Sequence, residues 1–504
     1  AMASDDEVYV AAFRRAGVVR VKEVADLFNS AAVLDSKHLP RGRRLAIVTN
    51  AGGPGVMATD ELIELGGQLA KLSDESLREL NSVLPQYWSK GNPIDVLGDA
   101  DIGRYVSAIN VCLNDPEVDG ILVAYTPQGA ARPEELARSV AEIARTAWKP
   151  IIVTWMGGEA VREAREVFAQ NNIPTYETPE EGVKTYMYMY RYGRNLELLY
   201  ETPSELSVDE APPKSHLKAL VARLVREGIT TVSEEDSKRF LTNYGISTTK
   251  PYTAHTVEAA IRHANSIGYP VVLKIASPDI SHKSDVGGVA TGMDSDEKLR
   301  SEYDAMMRRV REHSPHGKIL GVTVQKMIEN IDYELILGSR KDRDFGSVIL
   351  FGMGGVGTEV FRDFSIGLPP LNQTLARRLM EDTKVYRMLQ GYRGKAPADT
   401  RQLEEIIVRF SNLIVDFPEI AEIDVNPLAI SGGKAYALDA RIVIDKKALE
   451  YPSPYSHLVI TPYPTRYVIP WKLKDGKEVL LRPIRPEDEP LEHEMLTTLS
   501  DETL

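Results

Sequence analysis

Three short apolar runs do most to constrain this fold: Arg44-Leu45-Ala46-Ile47-Val48-Thr49, Gly120-Ile121-Leu122-Val123-Ala124-Tyr125 and Pro150-Ile151-Ile152-Val153-Thr154-Trp155. Each is too short for a helix and lacks the in–out alternation of a half-exposed strand. Helix-length stretches at 55–65, 133–145 and 159–171 separate or follow them. Continuous apolar strands joined by helices belong in a parallel sheet with helices on both faces, so an α/β fold is expected here. A stretch rich in Pro, Ser and acids at 202–214 then reads as a linker.

From about 215 to 447 the pattern changes to α+β. Helices are expected at 216–227, 233–244 and 296–312, and strands at 270–275, 319–326, 333–339 and 347–351. Helical sequence at 372–388 and 400–416 leads into a hairpin around 422–440. A connector rich in Pro and Tyr, 451–470, follows.

At 504 residues the chain has room for roughly three or four domains. No apolar run approaches the roughly 20 residues of a membrane span, and no signal peptide is recognisable. The single cysteine, Cys112, excludes an internal disulfide framework and sits in an apolar helix-like segment, as a core thiol would. These features point to the cytoplasm. A net charge of −13 argues against nucleic acid as a partner. The start at Ala1-Met2-Ala3 and the stop at Leu504, inside what reads as the first helix of another domain, suggest a piece of a longer protein.

Four constellations carry chemistry. Thr49-Asn50-Ala51-Gly52-Gly53-Pro54-Gly55 follows a strand and opens a helix. Free backbone N–H groups and the helix dipole then converge on one point, with Gly52, Gly53 and Gly55 allowing close approach. The same residues serve equally well as a tight turn. Lys274 ends an apolar strand, where an ammonium turned into the core would be costly, so a cleft-facing phosphate ligand is expected. Just after it, Ser281-His282-Lys283-Ser284-Asp285 offers His282 as a nucleophile toward phosphate. On local sequence alone a structural loop histidine is the plainer reading. The glycines at 352, 354, 355 and 357 look like a dinucleotide fingerprint, but Glu359-Val360-Phe361 continues as strand and not as helix, so a Rossmann reading is rejected. Finally, Asn426 and Asp439 put an amide oxygen and a carboxylate on two neighbouring short strands. That donor set suits Mg²⁺, although spacing alone fits a hairpin with polar edges.

Together these residues resemble the nucleoside-diphosphate-forming acyl-CoA synthetases, relatives of succinyl-CoA synthetase, with an ATP-grasp module in the C-terminal half. The resemblance covers almost all of residues 4–447. It implies that Lys274 is the nucleotide-binding lysine, that Gln325 and Met327 belong to the hinge meeting the adenine, and that Glu334 is an acidic nucleotide contact. It further implies Asn426 and Asp439 as magnesium ligands, Asp424 as the carboxylate that stabilises phosphohistidine, and His282 as a second phosphorylated histidine. The segment 49–59 is similar to the helix that holds phosphohistidine at the other site, and Gly91-Asn92-Pro93-Ile94-Asp95-Val96 to the ligase-domain segment after it.

The implied organisation is the end of a succinyl-CoA-synthetase-like domain at 1–34, a flavodoxin-like CoA-ligase domain at 35–205, an ATP-grasp domain at 206–447 and a linker at 448–475. The family's main catalytic histidine and CoA-binding Rossmann domain would precede this chain. Residues 478–488 resemble the opening strand of a GNAT acetyltransferase, although its Arg/Gln-x-x-Gly-x-Gly loop does not occur in the tail. The parent therefore resembles bacterial lysine acetyltransferases that carry a fused synthetase region, with 476–504 beginning the GNAT domain.

What the resemblance implies is conversion of an acid, CoA and ATP to acyl-CoA, ADP and phosphate, through acyl phosphate and phosphohistidine, with ATP/ADP, Mg²⁺ and CoA as cofactors. The alternative is a degenerate region that senses nucleotide or acyl-CoA and regulates the acetyltransferase. A different ATP-grasp ligase, such as a carboxylase, is disfavoured by the first half. The expected partners are a small carboxylic acid or acyl-CoA, protein lysines through the GNAT domain, and further copies of the chain in a homo-oligomer; no nucleic acid or membrane is expected.

Overall fold

The computed structural model describes residues 5–34, 38–128, 132–204, 212–280, 283–355, 362–446 and 455–500. The chain divides into two compact units, one of residues 13–199 and one of residues 1–12 with 200–504.

In the unit of residues 13–199 the three apolar runs form β1 (Arg44–Thr49), β4 (Gly120–Tyr125) and β5 (Ile151–Trp155). Shorter strands β2 (Gln68–Leu69), β3 (Ile94–Asp95) and β6 (Thr175–Tyr176) complete a parallel sheet of order β2-β1-β4-β5-β6. β3 lies beside the last two residues of β1. Without β3 this is the doubly wound flavodoxin order, whose switch point falls between β1 and β4.

Alternate residues of each strand feed opposite cores, as strand geometry requires. Ala46, Val48, Ile121, Val123 and Val153 pack with Tyr105, Leu136 and Phe168 on one face. Leu45, Ile47, Leu122 and Ile152 pack with Ala58, Leu62, Val183 and Tyr186 on the other. Val33 joins this second core. Cys112 is fully buried, and burial pushes its thiol up to about 12.

In the other unit, β7 (Tyr252–Ala254), β8 (Val271–Ala276), β9 (Val289–Met293) and β10 (Gly321–Lys326) form an antiparallel sheet of order β7-β10-β8-β9. The helices Val257–Ile267 and Asp296–His313 cover it through Ala260, Ala264, Leu299 and Met306. A second antiparallel sheet holds β11 (Tyr333–Asp342), β12 (Gly346–Met353), β13 (Phe364–Gly367), β14 (Ile420–Ser431) and β15 (Lys434–Ala437) in the order β13-β12-β11-β14-β15, with β16 (Arg441–Ile444) also on β14. Val8 and Ala11 pack with Val348, Ile366 and Leu368. A hairpin of β17 (Ile469–Lys472) and β18 (Glu478–Leu481) precedes the helix Glu489–Thr498.

Among the described residues no helix is long and apolar enough to cross a membrane. The glycine run begins at Gly352 inside β12, and β13 pairs back on it antiparallel, in agreement with the rejection of a dinucleotide fingerprint. Gly357 and Glu359 lie outside the described residues.

Among the elements that differ from expectation, three are instructive. The helix expected from Gly55 begins at Gly52, because Pro54 is compatible with a first helical turn. The helical stretch 372–388 breaks into Gln373–Glu381 and Val385–Leu389. Asp363 caps the second piece, accepting from Lys384 N at 2.7 Å and Val385 N at 2.6 Å. The helix Pro179–Leu199 was not anticipated at all.

Candidate functional site

The site starts from a helix cap. Ser233 Oγ accepts from Asp236 N at 3.1 Å and starts the helix Glu234–Asn243. Glu234 and Lys238, four residues apart, then share one helix face and pair at 3.0 Å. Lys274 reaches the same Glu234 Oε1 from β8 at 3.0 Å, and Lys283 reaches Glu234 Oε2 at 2.6 Å. Lys274 and Lys283 also converge on Asp439 Oδ1, at 3.4 and 3.6 Å. Burial alone would favour a protonated Glu234, but Lys274, Lys238 and Lys283 hold its carboxyl well below the usual range. Lys238 is the deepest of the three amines, and burial lowers it to about 8.

Lys238 donates to Thr249 O (3.0 Å), Gln325 Oε1 (2.6 Å) and Leu438 O (2.8 Å). Lys274 donates to the same Leu438 carbonyl at 2.7 Å. This carbonyl, next to Asp439, is therefore held by lysines from a helix and from the first sheet. Gln325 is buried, and its side chain belongs to this network, also accepting from Thr249 Oγ1 at 3.1 Å. Met327 closes the end of β10 differently, its Sδ accepting from Gly292 N at 3.2 Å.

The hairpin of β14 and β15 aligns Leu428 with Ala437, and Leu438 N donates to Pro427 O at 3.1 Å. Continuing that register sets Asn426 opposite Asp439. Asn426 Oδ1 accepts from Gly355 N at 3.1 Å, and Glu334 lies against the same glycine, its Oε2 filling the space a Cβ there would need. Asp424, two residues further along β14, faces Gly338 on β11 and Arg441 on β16. It lines an open cleft with Ile336, Gly338, Arg340 and Glu422. Burial raises its carboxyl, and the charges of Glu422 and Asp439 add to the effect.

Among the described residues no three His, Cys, Asp or Glu side chains form a metal cage. One carboxylate and one amide oxygen, already approached by two ammonium groups, fit a cation that takes its other ligands from water and phosphate. His282 lies outside the described residues.

In the other unit, Gly52 and Gly53 are exposed at the start of the helix Gly52–Glu64, whose N-cap residue Ala51 offers no side-chain bond. No atom stands within 4 Å of a Cβ placed on Gly53, whereas Gly55 is buried against Pro93 and Thr49. Gly53 thus leaves its backbone open to an approaching group, while Gly55 serves packing. Asn50 bridges the switch point, donating to Thr126 O at 2.8 Å and accepting from Thr126 N at 3.0 Å.

Of the residues singled out from sequence, Lys274, Gln325 and Asp439 come together in this cluster and Asn426 stands opposite Asp439 by register; Glu234 and Lys238 were not expected, and Lys283 was named only as a neighbour of His282. The available signal was Ser233 followed by Glu234 and Lys238 at i, i+4 spacing.

A flavodoxin-order unit and a two-sheet unit with buried lysines beside a carboxylate–amide corner define a class, a CoA-ligase domain joined to an ATP-grasp domain. The family model described as ATP-grasp domain matches residues 223–444, and the one described as Ligase-CoA domain matches residues 45–200. The chain is 34% identical to the acetate–CoA ligase (ADP-forming) I of Archaeoglobus fulgidus and 32% identical to the 4-hydroxybutyrate–CoA ligase (ADP-forming) of Nitrosopumilus maritimus. Each match covers 88% of this chain and 63% of the relative. It is also 32% identical to the beta subunit of acetate–CoA ligase (ADP-forming) II of Pyrococcus furiosus, over 46% of this chain and 99% of the subunit. The chain belongs to the ADP-forming acetyl-CoA synthetase family, and it spans about 63% of the length of the first two of these relatives.

Proposed function

We propose that this chain carries the nucleotide-handling part of an ADP-forming acyl-CoA ligase, which converts a small carboxylic acid, CoA and ATP to acyl-CoA, ADP and phosphate. The observation that carries the reading is the approach of Lys274 Nζ to Asp439 Oδ1 at 3.4 Å, with Asn426 in register opposite. A phosphate-binding amine and a magnesium corner are the two parts that phosphoryl transfer needs, since the reaction depends on positioning and charge neutralisation. Asn426 and Asp439 would hold Mg²⁺, which when bound neutralises charge on the nucleotide's phosphates. Lys274 would hold a phosphate oxygen, and Glu234 pairs with the lysine amines and holds them in place. Glu334 would contact the nucleotide beside Gly355, with Gln325 and Met327 fixing the strand end that meets the base.

Asp424 would stabilise a phosphorylated imidazole in its cleft, and His282 is read as such a group from its motif. The exposed Gly52 and Gly53 supply an anion-binding helix end in the CoA-ligase unit. The relatives' names, one for acetate and one for 4-hydroxybutyrate, support a small acid as substrate. A fused lysine acetyltransferase is read from residues 478–488 alone, and assay of the full-length parent for lysine acetylation tests it.

Calorimetric titration of the chain with ADP, with and without Mg²⁺, tests the central reading. Binding should require Mg²⁺, and Asp439→Ala should remove that requirement together with at least about tenfold in affinity, the size of one lost charged contact. Equal affinity for wild type and Asp439→Ala in Mg²⁺ would overturn the metal assignment.

A further inference from the structure

The buried cluster is unbalanced in charge. Among the described residues it gathers three ammonium groups, Lys238, Lys274 and Lys283, around two carboxylates, Glu234 and Asp439. An uncompensated charge away from water is costly, so such a cluster is built to meet an anion. Exposure shows where that anion would enter. The side chains of Lys238, Glu234 and Lys274 are 2, 6 and 7% exposed, Lys283 is 15% exposed, and Asp439 at the mouth is 36% exposed.

The three amines are not equally committed. Lys238 spends its N–H groups on Glu234, Thr249, Gln325 and Leu438, more acceptors than it has protons. Lys274 bonds Glu234 and Leu438. Among the described residues Lys283 makes one hydrogen bond, to Glu234 Oε2, and stands 3.6 Å from Asp439 Oδ1, beyond hydrogen-bond reach.

Its backbone is fixed as well. Gly288 N donates to Lys283 O at 2.7 Å and Ile275 N to Gly288 O at 2.7 Å, which ties the turn to the strand that carries Lys274. Gly288 has no room for a Cβ, which would fall 2.7 Å from Ile275 Cγ2 and 2.9 Å from Lys283 O. One hydrogen-bonded unit therefore presents both amines to the mouth.

We propose that Lys283 is a second phosphate-binding residue, acting beside Lys274 on the phosphates of a nucleoside di- or triphosphate. The inference rests on the nucleotide reading of the same site but adds a ligand which that reading does not require.

Calorimetry with Mg·ADP, adenosine and inorganic phosphate on wild type, Lys274→Gln, Lys283→Gln and Lys283→Arg tests it. Lys283→Gln should lose roughly tenfold to a hundredfold in Mg·ADP affinity, the size of one charge-assisted hydrogen bond, with adenosine binding unchanged and Lys283→Arg largely restored. Unchanged Mg·ADP affinity in Lys283→Gln, with Lys274→Gln weakened, would overturn this proposal and leave the nucleotide site standing. No Mg·ADP binding by wild type, or no loss in Lys274→Gln, would overturn both.

Amine labelling of the wild-type protein, read by mass spectrometry, gives the same answer without any variant. Mg·ADP should slow modification of Lys283 and adenosine should not. Unchanged labelling of Lys283 under saturating Mg·ADP overturns the assignment. Equal protection by inorganic phosphate alone overturns its attribution to a nucleotide.

Discussion

His457 shows how much one buried nitrogen can weigh. Its Nε2 lies 2.9 Å from Ile414 O, so that nitrogen carries the proton, and its buried Nδ1 has no hydrogen-bond partner among the described residues. Protonation would place a charged N–H where no acceptor waits, and burial accordingly lowers the imidazole below 6.5, with Lys341 and Lys218 adding to the effect. As pH falls, the unfolded chain takes up this proton before the folded one does. Stability is therefore present above about 6.5 and lost as pH drops from there toward the folded value. Urea midpoints measured between roughly pH 7.5 and 5.5 should fall less steeply for His457→Gln than for wild type; parallel slopes would remove His457 as the cause. Lysines show what a sequence can and cannot reveal at this scale. Lys274 was expected to end its strand and face a cleft, yet it stands inside β8 and is buried, because Glu234, Asp439 and the Leu438 carbonyl receive its ammonium. Lys238 was not legible, since a Glu–Lys pair at i, i+4 reads as a solvated helix face, and only the arrival of Thr249, Gln325 and Leu438 buries it.

Elements were legible where a continuous apolar run or one periodicity dominated. Of the parallel sheet, β1, β4 and β5 stand close to where their apolar runs put them, as does the helix Thr400–Asp416, whereas the two-residue strands β2, β3 and β6 were not read. The helix Pro179–Leu199 was hidden because Tyr186, Met187, Tyr188 and Met189 are all buried, which erases the 3.6-residue contrast between faces. The glycine run that begins in β12 has the opposite lesson, for it resembles a phosphate loop while part of it serves strand packing. A Cβ on Gly352 would come within 2.2 Å of Asp363 O and 2.7 Å of Phe364 Cα, backbone atoms of the segment that pairs as β13. Gly352→Ala should cost about 1–3 kcal/mol through this forced shift, seen as a lower urea midpoint. A variant as stable as wild type would show that β13 yields freely.

For the molecule as a whole, the order of short strands and helices was enough to read a parallel-sheet unit followed by an α+β unit, and the family matches at 45–200 and 223–444 agree with that order; the division of the second unit into two antiparallel sheets was not read. What the order could not reveal is which distant segments close the site. The Lys274–Asp439 approach depends on β14 and β15 bringing Leu438 to lysines from a helix and from the first sheet. Nucleotide binding should therefore stabilise the molecule unevenly. A ligand at 100 times its Kd adds about 2.7 kcal/mol to the state that binds it, which slows amide exchange by roughly a hundredfold where opening destroys the site. With Mg·ADP, hydrogen exchange read by mass spectrometry should slow in β8, in residues 283–289 and around Leu438–Ala440. β1, β4 and the helix Gly52–Glu64, which contribute nothing to the lysine cluster, should exchange as before. Slowing of equal size in those elements would mean that the nucleotide engages the parallel-sheet unit as well, and the site would have to be redrawn to include the exposed Gly52 and Gly53.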